Sequence, residues 1–122
     1  LRQGSEVFLD GRAIREPFAG VDPQAKPSVR CHRAGAAEWS VAELRSPAGA
    51  AGPAVTLRMA FATDTLPWIQ TWLQPRPGMH VLGIEPGSSE RGSDGQSVVD
   101  AGCDLAPWAS RTYRLELALA GG

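Results

Sequence analysis

The residues that could do chemistry concentrate in one stretch, LPWIQTWLQPRPGMHVLGIEPGSS, at positions 66–89. Its acid, Glu85, ends the apolar run GMHVLGIE and precedes Pro86. The residue before a proline favours the β region, and proline cannot donate a hydrogen bond to a strand ladder. The carboxylate is therefore predicted at a strand end, near Gly83, whose missing side chain permits close approach of a ligand or another backbone. A carboxylate held in this way suits general acid/base chemistry.

The preceding run, LPWIQTWL, supplies the groups that would surround this acid. Alternate side chains of a strand share a face, so Trp68, Gln70 and Trp72 should lie together. Flat indole rings and an amide suit the C–H faces and the hydroxyl groups of a sugar. The alternative, which the pattern alone favours, is that both tryptophans belong to the core and that Glu85 caps or salt-bridges a local group.

Four other residues are candidates for a site around Glu85. His32 follows a cysteine on a weakly signalled strand and is the candidate general acid, although a single histidine is more often structural or exposed. His80 falls on the strand face opposite Glu85. Asp22, in GVDP, can bind sugar hydroxyls or serve a turn. Arg91 can meet an anionic sugar or be a solvated surface charge.

Composition and charge exclude several classes of partner. The 122 residues are 43% hydrophobic and 20% charged, which predicts one globular domain. The net charge of -1 lacks the basic excess that is typical of proteins that bind nucleic acids or membrane surfaces. No run approaches the roughly 18 apolar residues of a membrane span, and LRQGSEVFLDG lacks the apolar centre of a signal peptide, so a cytoplasmic protein is expected. Cys31 and Cys103 stand in no metal-ligand spacing and are predicted to be free thiols; no cofactor is predicted.

The elements that must position these residues are predicted to be strands. Fourteen glycines and ten prolines fall mostly between short apolar runs, which indicates an all-β protein. Clear alternation predicts antiparallel strands over 54–62 and 111–120, and weaker patterns predict strands over 38–46, 6–9 and 28–32. The inward-facing residues expected in the last strand are Tyr113, Leu115, Leu117 and Leu119. The fold class predicted is an antiparallel β-sandwich.

The order of three motifs resembles the C-terminal third of the aldose 1-epimerase (galactose mutarotase-like) superfamily, and most closely its DUF4432 branch. The motifs are LPWIQTWLQ, then GMHVLGIEPGSS, and later LAPWASRTYRLELAL. The resemblance covers about residues 29–120 and is strong over 66–86 and 105–119. The Pro-Gly-Glu that usually precedes the arginine of the final strand is replaced here by Pro-Trp-Ala-Ser at 107–110, a departure that concerns a turn.

This resemblance implies a large two-sheet β-sandwich, commonly more than twice this length, of which the present chain would form the C-terminal part. By motif position, Glu85 is the counterpart of the glutamate that acts as general base in aldose epimerases. The histidines of that family lie upstream of the matching part. The implied reaction interconverts sugar anomers: a base removes the anomeric hydroxyl proton while an acid protonates the ring oxygen, and each positioned transfer is typically worth about 10²–10⁴-fold.

Three functions are consistent with the sequence: a sugar isomerase resembling aldose 1-epimerases, a carbohydrate-binding module without turnover, and a structural or interaction domain that shares only the architecture. A missing second catalytic group near Glu85 would favour the second, and a Glu85 covered by protein would favour the third. A shortened sandwich is also expected to self-associate, or to pair with a preceding segment. The surfaces expected to do so are a sheet edge or the face that carries Val55, Leu57, Met59 and Phe61.

Overall fold

Eight β-strands form the fold in the computed structural model, which describes residues 1–98 and 104–121. No helix occurs within those ranges, and therefore none that could cross a membrane. The strands are β1 (Glu6–Leu9), β2 (Arg12–Ala13), β3 (Ser28–Arg33), β4 (Trp39–Ser46), β5 (Val55–Ala62), β6 (Trp68–Gln74), β7 (Val81–Gly87) and β8 (Leu115–Gly121). The prediction of an all-β protein is confirmed.

The strands form two antiparallel sheets, consistent with a β-sandwich. The first has five strands in the order β2-β1-β4-β5-β8, and the second has three in the order β3-β6-β7. The strands predicted over 6–9, 28–32, 38–46 and 54–62 correspond to β1, β3, β4 and β5, whose ends differ from the predicted ones by at most one residue. Clean alternation of apolar and polar residues fixes such strands because one face must be buried.

Side chains from both sheets meet in one core. Phe61 of β5 and Ile69 of β6 each have 0% of their surface exposed and belong to the same apolar cluster. Leu82 and Ile84 of β7 pack against this cluster. The three-stranded sheet therefore turns one face toward the core, and its opposite face is available for a site.

A buried arginine ties the N-terminal segment to the three-stranded sheet. The Arg15 guanidinium donates through Nε to Thr71 Oγ1 at 2.6 Å and through Nη2 to the Thr71 carbonyl at 3.1 Å. It also donates through Nη1 to Ser28 Oγ at 2.9 Å and through Nη2 to the Ser28 carbonyl at 2.8 Å. Because Ser28 and Thr71 lie on β3 and β6, these bonds hold the core-facing side of the sheet in place.

The last strand differs from its prediction. It begins at Leu115 rather than at residue 111, and its leucines are exposed: 47% for Leu115, 61% for Leu117 and 74% for Leu119. Leu115 pairs with Phe61, so these leucines do share the core-facing side of their sheet. They are exposed because β8 is the edge strand, where no described residue of the second sheet covers them. Tyr113, also predicted to face inward, is 52% exposed.

Candidate functional site

The outer face of the three-stranded sheet carries the candidate site. Cys31, Gln70 and Glu85 form one row across β3, β6 and β7, because Gln70 pairs with both of the others. Trp72 pairs with Gly83 in the next row. The predicted sharing of a face by Trp68, Gln70 and Trp72 agrees with burial, since the intervening Ile69 and Thr71 are fully buried on the opposite side.

Glu85 and Gln70 are joined by a hydrogen bond across the strands. Gln70 Nε2 donates to Glu85 Oε2 at 3.0 Å. The other amide atom, Gln70 Oε1, is buried and has no hydrogen-bond partner in the described part of the chain. A buried acceptor without a partner is costly to the folded protein. The pair thus offers a carboxylate that is held in place by the Gln70 amide.

The glycine near the acid gives Glu85 its conformation. A β-carbon built on Gly83 would lie 2.6 Å from Glu85 Oε1 and 3.7 Å from Trp72 Cβ. Real β-carbons essentially never approach another atom so closely, so the carboxylate occupies space that only glycine leaves free. Close approach was predicted for a ligand or another backbone. The group that makes it is the side chain of Glu85 itself.

Glu85 is exposed and opens into a cleft of about 250 Å³. Strands β6 and β7 form its floor, the segment before β8 supplies one wall, and the loop after β7 supplies another. The lining residues are Leu66, Trp68, Gln70, Glu85, Pro86, Gly87, Ser88, Ser89, Arg91 and Tyr113. An indole, a phenol, an amide, a carboxylate and a guanidinium therefore surround a space in which polar ligands of sugar size can be bound.

Backbone contacts position Arg91 in this cleft. Its amide donates to the thiol sulfur of Cys31 at 3.3 Å, and Arg91 forms an antiparallel bridge with Ser97. Its Nη1 donates to the Gly95 carbonyl at 3.3 Å. Cys31 is a free thiol, as predicted, while Cys103 lies outside the described residues. The structure thus brings together four predicted site residues: Glu85, Gln70, Trp68 and Arg91.

Two predicted binding residues do not line this cleft. Trp72 lies on the same face of β6, two residues beyond Gln70 and opposite Gly83. The indole that lines the cleft is that of Trp68. Asp22 lines a separate depression, and its Oδ1 accepts a hydrogen bond from the Gln24 amide at 2.9 Å. That bond is the turn role which the sequence left as an alternative for Asp22.

His32, the predicted general acid, is placed on the other side of the sheet from Glu85. It pairs with the core-facing Ile69, whereas Glu85 pairs with Gln70. Its Nδ1 is buried and has no partner among the described residues. Burial lowers the pKa of His32, and the positive charges of Arg12, Arg30 and Arg15 lower it further. The structure therefore does not bring His32 and Glu85 to one cleft, and it favours a neutral imidazole.

Sequence reasoning missed three cleft residues. Ser88 and Ser89 stand in no serine, histidine and aspartate arrangement of a nucleophilic serine, but their position directly after Glu85-Pro86-Gly87 indicates that they lie near the acid. The alternation of residues 111–120 pointed Tyr113 into the core, and only the chain path before β8 places its ring in the cleft. In the described ranges, no three histidine, cysteine, aspartate or glutamate side chains cluster as a metal site.

The fold and the site define an antiparallel β-sandwich protein with an open, carboxylate-bearing cleft on its smaller sheet. The chain belongs to the family described as Domain of unknown function (DUF4432), which it matches over residues 13–119. The match extends from β2 into β8 and includes Glu85 and every other lining residue of the cleft. No curated protein and no solved structure matches the chain.

Proposed function

We propose that this protein is a sugar-directed isomerase of the aldose 1-epimerase type, and that Glu85 is its general base. The observation that carries the proposal is the pair formed by Glu85 and Gln70 in an open cleft. The carboxylate is held by Gln70 Nε2 at 3.0 Å, and Glu85 is exposed to the cleft. A sugar hydroxyl can donate a hydrogen bond to this carboxylate.

The aromatic residues of the cleft support a sugar rather than a purely polar ligand. The Trp68 indole is half-buried and the Tyr113 ring is 52% exposed, so both present apolar surface to the same space. Aromatic rings bind the C–H face of a pyranose by apolar contact and leave its hydroxyls to polar partners. Glu85, Gln70 and the serines of the following loop provide such partners.

In the proposed reaction, Glu85 takes the proton from the anomeric hydroxyl. The bond between the anomeric carbon and the ring oxygen breaks, the ring oxygen accepts a proton, and a free aldehyde forms. Rotation of the aldehyde and reversal of these steps close the ring as the other anomer and return both protons. We assign the acid to Tyr113, because this tyrosine lines the same cleft and carries a phenolic proton, while His32 lies across the sheet.

The test is to follow freshly dissolved aldoses by polarimetry with the wild-type protein and three variants. Glu85→Gln keeps the shape and loses the base, so the catalysed rate should fall by about 10²-fold or more. Tyr113→Phe should lower the rate as well, while His32→Gln should leave it within a few-fold. Unchanged catalysis by a folded Glu85→Gln variant would remove Glu85 from the mechanism.

A second candidate is a carbohydrate-binding protein without turnover. The observation that favours it is the cleft lining, which contains no histidine. Sugar binding seen by titration of tryptophan fluorescence, without faster interconversion of anomers, would select this function. A purely structural role was tied to a Glu85 covered by protein, whereas Glu85 is exposed beside an open cleft.

A further inference from the structure

A second depression continues the cleft past Trp68. It encloses about 230 Å³ and shares Trp68 and Ser88 with the first. Its remaining lining residues are Arg33, Asp64, Thr65, Pro67 and Arg111. The two spaces therefore meet at the indole ring, and a ligand that stacks on this ring reaches both.

Arg33 gives this depression an open cationic group. Its guanidinium carbon lies 5.1 Å from the centroid of the Trp68 ring, a cation–π distance that holds the side chain over the indole. No ion pair or hydrogen bond is recorded for the Arg33 side chain within residues 1–98 and 104–121. By contrast, Arg30 and Arg45 are paired with Glu16 and Glu43.

The other two charged residues of this depression each make a hydrogen bond within the protein. Asp64 Oδ1 accepts a hydrogen bond from the Thr65 amide at 2.9 Å, and Arg111 Nη2 donates to the Asp104 carbonyl at 3.1 Å. Arg33 therefore presents a guanidinium that is positioned by the Trp68 ring and lines the depression. Guanidinium groups bind phosphate and carboxylate through paired, charge-assisted hydrogen bonds.

The strand register sets the span between this cation and the proposed base. Arg33 pairs with Trp68, and Glu85 pairs with Gln70 two residues along β6. Both side chains lie on the outer face, separated by two strand spacings and two residues, so their α-carbons are roughly 12 Å apart from sheet geometry. The side chains reach into this interval, with the Trp68 ring between them. The distance between Arg33 and Glu85 suits one sugar ring that carries a substituent on the carbon farthest from its anomeric carbon.

We propose that the ligand of the cleft is a monosaccharide that carries an oxyanion remote from its anomeric carbon, and that Arg33 binds this oxyanion. The sugar ring packs on the side of the Trp68 indole that faces the first cleft and that Arg33 does not cover, its anomeric end lies at Glu85, and its phosphate or carboxylate group reaches Arg33. This inference rests on the proposed function and narrows it to anionic sugars. Arg91, whose predicted role is also toward an anionic sugar, lines the first cleft and not this depression.

The experiment compares an aldohexose, its 6-phosphate and its uronic acid, in the gluco and galacto series, by calorimetric titration. The anionic sugars should bind the wild-type protein about 10-fold or more tighter than the neutral one, as expected for a charge-assisted contact. Arg33→Gln should abolish that preference and leave neutral-sugar affinity within about two-fold. Arg33→Lys should retain part of the preference for anionic sugars, since lysine keeps the positive charge but loses the paired N–H donors of the guanidinium.

Arg58→Gln is the matched control, because Arg58 is an exposed arginine on β5 of the other sheet. It should bind all sugars like the wild type. Equal affinity for neutral and anionic sugars would overturn this inference and leave the proposed function standing. Absence of binding for every sugar would overturn both. A preference restricted to the phosphate or to the uronic acid identifies which oxyanion Arg33 binds.

Discussion

Glu85 folds its carboxylate over Gly83, so that a β-carbon at residue 83 would lie 2.6 Å from Glu85 Oε1. The pleat of β7 places both residues on the outer face of the sheet, and no other residue type leaves room for this conformation. The glycine therefore acts on the site through the position of the acid rather than by contact with a ligand.

Gly83→Ala should lower catalysis by about 10–100-fold with little loss of stability. The displaced atom is the end of a flexible side chain, so the carboxylate can move aside at low cost, but a base moved by about 1 Å can lose 10²-fold in rate. Polarimetry and urea denaturation measure the two effects. Gly49→Ala is the control, because a β-carbon there meets nothing within 4 Å. Full activity of Gly83→Ala would show that the observed position of Glu85 is not required.

The two tryptophans of β6 should behave differently when shortened. Trp68 lines the cleft and Trp72 does not, so Trp68→Ala should weaken sugar binding by several-fold to about 10-fold, from the usual value of an aromatic contact. Trp72→Ala should change binding less. Titration of the remaining tryptophan fluorescence with sugars, beside a denaturation curve for each variant, separates binding from stability. A greater loss of binding in Trp72→Ala would restore Trp72 as the principal sugar contact.

The stability of the protein should decline between pH 7 and pH 5 because of His32. Its lowered pKa means that the unfolded chain, with a pKa near 6.5, binds the proton more readily than the folded protein. The contribution of His32 to the free energy of unfolding is therefore present above the unfolded pKa and is lost as the pH falls through 6.5 toward the lower folded value.

His32→Gln should flatten this slope in urea unfolding measured at several pH values. His80→Gln is the control, since His80 is exposed outside the strands. Glu16 acts at lower pH: its hydrogen bond with Arg30 lowers its pKa to about 2, so its contribution to stability is lost as the pH falls from the unfolded pKa of 4.5 toward that value. A slope that persists in His32→Gln would assign the proton uptake to another group.

The exposed leucines of β8 should mediate self-association. The expected contact is a second copy whose β8 pairs antiparallel with the first and covers Leu117 and Leu119, since an apolar edge strand readily accepts another strand. If Leu117 pairs with Leu117 of the second copy, Glu116 of each copy pairs with Ala118 of the other, so that no like charges lie opposite each other. On the face of β5 that was also expected to serve, Phe61 is fully buried in the core, whereas Val55, Leu57 and Met59 are half-buried on the same side of the sheet as these leucines.

Sedimentation at increasing protein concentration tests this association. The wild type should shift from monomer toward dimer, and Leu117→Ser with Leu119→Ser should remain monomeric. Val21→Ser, which changes a valine exposed to 54% in a loop, should behave like the wild type. A wild-type protein that stays monomeric throughout would contradict the prediction.

The sequence by itself determined the strands and the faces of several residues. Alternation at 54–62 defined β5 to within one residue, because a half-buried strand must repeat with a period of two. The same period placed Trp68, Gln70 and Trp72 together on β6, and the pair Gly83 and Glu85 together on β7. These are relations within single strands, and local geometry is sufficient for them.

Relations between strands were decided only by the tertiary structure. His32 faces away from Glu85 because it pairs with Ile69, and a shift of one residue in that pairing would have reversed its face. Trp68 rather than Trp72 lines the cleft because the loop after β7 and Tyr113 close over one end of the sheet. The leucines of β8 alternate as core residues do, yet they are exposed because burial depends on the strand's place at the sheet edge, which alternation does not encode.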